Sequence, residues 1–436
     1  MLANKLVVLG NSYKKLARAG VGLAGEKGFG VGVYPTRALP VGFSELPGTQ
    51  DKSSINYGNY NYSDGSIMCW IPQFYYRIGS ASSPNYATYA ANALDIAGID
   101  SYADEATANA AGFALHRAFY NGGSVKAGFF VDKYQCSNNS GTASSIALAN
   151  PLSCAADHNP FSGLTGSPTN TCGGAFAAVK TRGASFFPVS VFIHSALAML
   201  ALAHGQAASA STYCAWYDSN HVINFPKGNN NNALKDINDT SVTFTTDGYP
   251  NCAKTGSGSN LAKTAHNGQT NGVVDLNGNL WEIASGFVSD GSKYYLLKTA
   301  CDISTLTGAN TGATGAWGAT SYAANYDDMG ATFGVLEANS SAKLFGVTTA
   351  QVFDNATSGA AWKATGAGVP KAGGAAVGAG TNLMGMDGLW DYRPNEMCPV
   401  VGGGWVAGAS AGVWALYLGI FRAISNGSYG VRAAYY

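Results

Sequence analysis

The chain has 436 residues, with 25 Lys and Arg against 25 Asp and Glu, so its formal net charge is zero. Only 11% of it is charged, against roughly a quarter in an average globular protein, which excludes a nucleic-acid binder working through a basic surface. Hydrophobic residues at 46% and aromatic ones at 12% are enough for a large core and exclude wholesale disorder.

Glycine, at 57 residues, is about twice its usual share and follows no Gly-X-Y period, so turns and loops should outnumber long helices. An α+β, loop- and glycine-rich fold is expected. Residues 1–50 read as a separate small element for attachment or oligomerisation: a basic stretch (Lys14, Lys15, Arg18), a glycine-rich run from Val21 to Val33, then Pro35, Pro40 and Pro47. Its first ten residues hold one lysine and a short apolar run, less than the about 7–15 residues of a signal peptide, so export by the general route is not expected.

Residues 51–436 read as one domain with long insertions. Ser66–Pro72 and Gln73–Ile78 suggest a strand pair broken at Pro72, and Gly128–Tyr134 a further strand. A helix is expected around Ala103–Tyr120. The clearest helix is Ser190–His204, where apolar residues recur at helical spacing between Pro188 and Gly205. Thr305–Gly380, rich in Gly, Ala, Thr and Ser, reads as long loops over a core. From Pro399 to Phe421 no side chain is charged, but the six glycines of that span would each cost about 0.8–1 kcal/mol in a helix, so no membrane insertion is expected.

The eight cysteines form no C-x-x-C pair and read mostly as buried thiols, with Cys136, Cys154 and Cys172 the candidates for a disulfide. Among the scattered histidines (His116, His158, His194, His204, His221, His266) only His158, beside Asp157, has an acid at hand; His194 and His204 read as core or helix-end groups. No G-x-S-x-G, H-E-x-x-H, P-loop or dinucleotide fingerprint is present. No catalytic residue is assigned, and an enzyme is not expected.

Asn271–Ile283 reads as a tight Asn-Gly turn feeding a strand, with Trp281 and Ile283 on one face and Glu282 on the other. A buried glutamate beside turn carbonyls can hold calcium. The plainer alternative is that Glu282 accepts backbone N–H groups or pairs with Arg432.

That turn-strand, with Asp132-Lys133-Tyr134, the Pro188–His204 helix, Gly402-Gly403-Gly404-Trp405 and Gly430-Val431-Arg432, resembles the formylglycine-generating, sulfatase-modifying branch of the C-type lectin fold, in order from Gly128 to Tyr436. The resemblance implies calcium at Asn277, Gly278, Leu280 and Glu282, and no other cofactor. It also speaks against the oxidases and sulfoxide synthases of that fold, because 404–436 contains neither cysteine nor histidine.

The tail from Trp405 to Arg432 is similar to the variable region of diversity-generating retroelement target proteins, related to phage tropism determinants. The resemblance implies a framework that includes Trp405, Trp414, Arg422 and Arg432 within a variable region 402–436. Diversified, ligand-contacting positions would be Val406, Ala407, Ser410, Tyr417, Gly419, Ile420, Phe421, Ile424, Asn426, Gly427 and Ser428, with Ala423 as an addition. Adenine-directed mutation of asparagine codons cannot produce Lys, Glu, Gln or Met, and none of these occurs from Pro399 to Tyr436. The implied function is that of a phage tail adhesin binding a bacterial surface protein or glycan, carried on the virion beside other tail proteins, as a homo-oligomer such as a trimer. A bacterial surface-displayed variable protein is the alternative location for the same face.

Overall fold

Ser190 Oγ accepts the Ile193 backbone N–H (3.1 Å) and so caps a helix that runs Val191–Ala207. The helix is apolar on every side and buried along nearly its whole length, as a helix at the centre of a protein must be. It appears in the computed structural model, which describes residues 20–166, 168–217, 228–308, 324–345, 350–371, 375–376 and 384–436. No described helix is long and apolar enough to cross a membrane.

Two sheets carry most of the chain's architecture, a mixed α/β arrangement with many strands and few helices. The first has six antiparallel strands in the order Phe43–Glu45, Asn59–Tyr62, Ile67–Pro72, Gly128–Asp132, Ala433–Tyr435 and Phe187–Pro188. The carboxyl terminus therefore lies inside this sheet, with Ala434 opposite Val131. Phe130 is its aromatic hub, ringed by Tyr34, Phe43, Tyr60, Trp70 and Tyr435 at centroid distances of 4.2–6.4 Å.

The second sheet has seven strands in the order Ala375–Ala376, Ser341–Leu344, Gly388–Asp391, Leu416–Tyr417, Val400–Val401, Trp281–Ile283 and Tyr429–Gly430. It is mixed: Gly388–Asp391 runs parallel to Leu416–Tyr417, and Trp281–Ile283 parallel to Tyr429–Gly430. The tail from 400 onward thus supplies three of its strands.

Several expectations need correction. Residues 20–50 are not a separate element: Val21, Phe29, Val31 and Phe43 belong to the same core cluster as Trp414 and Val431, and Phe43–Glu45 is an edge strand of the first sheet. Lys14, Lys15 and Arg18 lie outside the described residues, as does His221. Ile67–Pro72 and Phe74–Ile78 are both strands but do not pair; Pro72 hands the chain from the first sheet to a three-stranded one with Leu94–Gly98 and Ala114–Leu115. The helix expected at 103–120 is only Glu105–Ala110, after which the chain turns into that third sheet.

The described parts of 305–380 are also more ordered than expected. They include the strands Tyr326–Gly330 and Ser341–Leu344 and the helix Gly359–Gly366, whose Trp362 packs inward. The eight cysteines are free thiols, and Cys136 hydrogen-bonds Asp132 (3.2 Å).

Candidate functional site

Parallel pairing of Glu282 with Gly430 brings the glutamate under the last turn of the chain, where it meets Arg432. Neither side chain is exposed. Arg432 Nε reaches both Glu282 oxygens (2.9 and 3.0 Å), and Nη2 donates to Oε1 (2.6 Å). The remaining donors go to the carbonyls of Asp132 (2.8 Å), Lys133 (2.9 Å) and Val274 (2.7 Å). Burial by itself pulls the guanidinium down; Glu282 more than offsets this, and the pKa sits above the usual arginine value.

This pair bears on the implied calcium set of Asn277, Gly278, Leu280 and Glu282. Arg432 occupies both oxygens and neutralises the charge of Glu282, and the Leu280 carbonyl accepts from Gln135 Nε2 (2.9 Å). Asn277 and Gly278 are buried nearby, but with Glu282 committed to arginine the set holds no free anionic oxygen for a hard cation.

Glycines and tryptophans lock the next layer. Gly403 has φ +96°, and a Cβ there would lie 2.7 Å from the Ala411 Cα; a Cβ on Gly412 would run into the Asp387 carboxylate, whose Oδ2 accepts the Trp414 N–H (2.7 Å). Trp414 is buried against Phe353 and Phe345, and Trp405 against Tyr249, Cys252 and Leu280. Arg422 is fully buried and pairs with Glu396.

Above this frame the loop backbone is held from below at each step. Cys398 N–H donates to the Ile420 carbonyl (2.8 Å), Gly173 to Arg422 (2.9 Å), Cys172 to Ile424 (3.0 Å), Trp281 to Ser428 (2.9 Å) and Cys154 to Tyr429 (2.9 Å). These bonds use main-chain groups of the loop, so they do not depend on which side chains it carries.

Side chains follow the two-residue period of an extended strand. Leu416, Leu418, Ile420 and Arg422 are buried, whereas Tyr417 and Gly419 are half-buried and Phe421 and Ala423 are exposed. Ile420, expected to contact ligand, is therefore corrected to a core residue at 2% exposure. It stands one residue out of phase with the outward set.

The other predicted positions reach the surface to different degrees. Val406 (56%), Phe421 (44%) and Asn426 are exposed; Ala407, Ser410, Tyr417, Gly419, Ile424, Gly427 and Ser428 are half-buried. Asn426 Oδ1 accepts from both the N–H and the hydroxyl of Ser428 (2.8 and 2.7 Å), giving that turn a side-chain tie of its own. Tyr417 joins an aromatic group with Trp281, Trp390 and Tyr392 at centroid distances of 5.6–6.0 Å. Trp390 and Tyr392 are half-buried and lie outside 402–436, a fixed contribution to the face that sequence reading missed because nothing in 388–392 marks it.

A second group was also missed. Under Gly427, His158 Nδ1 donates to the Gly427 carbonyl (2.7 Å) and Nε2 lies 2.8 Å from Asp247 Oδ2. Its ring stacks on Tyr249 at 4.0 Å, and the Cys252 sulfur lies in the same cluster. Burial, then the Asp247 charge, pushes the Cys252 thiol far up. In sequence the only acid beside His158 is Asp157; the acid that bonds its ring, Asp247, arrives from a distant loop. The other described histidines are core groups: burial pushes His116, His194 and His266 down to about 3 and His204 down to about 4.

A scan against protein-family models finds no match, and a search of curated proteins finds none.

Proposed function

We propose that the chain is a phage receptor-binding protein, a tail adhesin of C-type lectin fold in its formylglycine-generating-enzyme-like branch, whose 402–436 face grips a bacterial surface protein or glycan. The observation that carries this reading is the division of labour in the tail. Main-chain hydrogen bonds, buried tryptophans and two buried arginines, each paired with a carboxylate, hold the loop, while Val406, Phe421 and Asn426 are exposed on it and Tyr417 and Ile424 half-buried. A site built so tolerates exchange of the projecting residues without loss of the frame. The physics is that of a paratope: rigid aromatic area at small entropy cost, flanked by adaptable Ser410, Asn426 and Ser428. The reading assigns the face to binding, with no catalytic residue, on the virion beside other tail proteins; copies of the chain joined as an oligomer would gain by avidity.

The test is a set of full-length chains differing only at Val406, Tyr417, Phe421 and Ile424, incubated with a panel of bacterial strains while cell-bound protein is quantified. The expected result is that the set of bound strains changes from chain to chain at nearly constant melting temperature. Binding that is indifferent to all four positions sinks the proposal.

A further inference from the structure

The loop that presents residues 426–428 rests on a cluster that the receptor reading does not use. We propose that His158, Asp247 and Cys252 form a binding site for a divalent cation of the zinc class, buried beneath that loop. One ligand atom from each of the three lies within 4.8 Å of the others, a nitrogen, a carboxylate oxygen and a sulfur. This is a donor set that zinc accepts, and closing on a cation at about 2.0–2.3 Å needs only small side-chain shifts.

The surroundings are those of ligands already oriented. His158 Nδ1 is committed to the Gly427 carbonyl (2.7 Å), which turns Nε2 towards Asp247. Metal-bound imidazoles use their second nitrogen in this way. Asp247 Oδ1 accepts the Tyr249 N–H (2.8 Å), and Oδ2 accepts Asn159 Nδ2 (3.1 Å). Backbone bonds from Asp247 N–H to the Cys252 carbonyl and from Cys252 N–H to the Tyr249 carbonyl (both 3.1 Å) hold the acid and the thiol on one tight turn.

Protons and charge point the same way. With Nδ1 donating to the Gly427 carbonyl, Nε2 is the ring nitrogen left to face a cation beside Asp247 Oδ2. A divalent ion bound through Nε2 and the sulfur displaces the thiol proton, and any proton on Nε2, to solvent. It is then balanced by one carboxylate and one thiolate, so the loaded site carries no net charge. A water would complete four-coordination. Entry is short, since Asp247 is followed by the exposed Gly248. An ion here would tie 157–159, 247–252 and Gly427 into one unit and stiffen the presented loop, whatever that loop binds.

The test uses the full chain, freed of metal by a chelator and titrated with Zn2+ and, for spectroscopy, Co2+. The expected result is uptake of one equivalent. Co2+ should give near-ultraviolet thiolate-to-metal absorption and the intense visible bands of a tetrahedral site, and Zn2+ should raise the melting temperature. Cys252→Ser should remove the thiolate band and weaken Zn2+ by more than the about 10–100-fold that losing a supporting partner costs, the loss expected for Asn159→Ala. Cys301→Ser, at the half-buried thiol elsewhere, should change nothing. Should Cys252→Ser fail to fold, Asp247→Asn and the cobalt spectrum of the unsubstituted chain decide. Sub-stoichiometric uptake, or a cobalt spectrum without a thiolate band, overturns the site and leaves a buried, hydrogen-bonded His–Asp pair only. Neither outcome bears on strain binding by the face.

Discussion

Ile420 and Phe421 are neighbours of similar apolarity with opposite fates. The first fills the core and the second meets solvent, because an extended chain sends consecutive side chains to opposite sides. Ile420→Ala should therefore cost about 2–5 kcal/mol of stability, the usual toll of truncating a packed aliphatic side chain. Phe421→Ser should stay within about 0.5 kcal/mol, as surface changes do. Urea unfolding of the two variants checks this; equal losses would show that the alternation does not extend to 421. The resemblance placed both residues among the variable positions, and only the phase of the strand separates them. The same holds for Glu282: the sequence left calcium and Arg432 open as its partners, and proximity in three dimensions chose arginine.

At the scale of elements, the central helix was legible because it carries its own signals: Ser190 at the cap, a continuous apolar run and Pro188 just upstream. The bounds of the short helix Glu105–Ala110, expected over 103–120, and the strands Val400–Val401 and Tyr429–Gly430 were not, since elements this short carry too little periodicity to be read. The glycines between them were read as breakers of a membrane helix, yet their reason is contact. Gly412→Ala would push a methyl group into Asp387, and Asp387 holds the Trp414 N–H. The expected outcome is a loss of several kcal/mol, in the range of broken buried networks, visible as a lower melting temperature and a changed near-ultraviolet signal from Trp414. An unchanged signal would mean that the 387–414 contact does not lock the loop.

For the whole molecule, the buried histidines set the response to acid. Burial pushes His116, His194 and His266 from 6.5 to about 3 and His204 to about 4, so the unfolded chain binds protons that the fold refuses. The stability these groups contribute is complete above about pH 6.5 and is lost as the pH falls towards 4, by about 1.4 kcal/mol per group for each pH unit. Asp275 works the other way: burial raises it from 3.8 to about 6, so the fold gains as Asp275 takes up its proton between pH 6 and 4. Four groups outweigh one. Urea midpoints should drop clearly from pH 7 to pH 5, and a midpoint that holds or rises would show that these histidines are hydrated.

Composition, charge and local pattern by themselves determined that this chain folds, that it is rich in turns, that one apolar helix lies at its centre and that its tail alternates small and aromatic residues. Those properties depend on residues close together in sequence. The tertiary structure decided the rest: that residues 20–50 belong to the core, that Glu282 is spent on Arg432, that Ile420 points inward, and that His158 meets Asp247 and Cys252. Each of these is a pairing across tens to hundreds of positions, or a matter of which side of a strand faces water. Chain closure sets both, and no local signal encodes either.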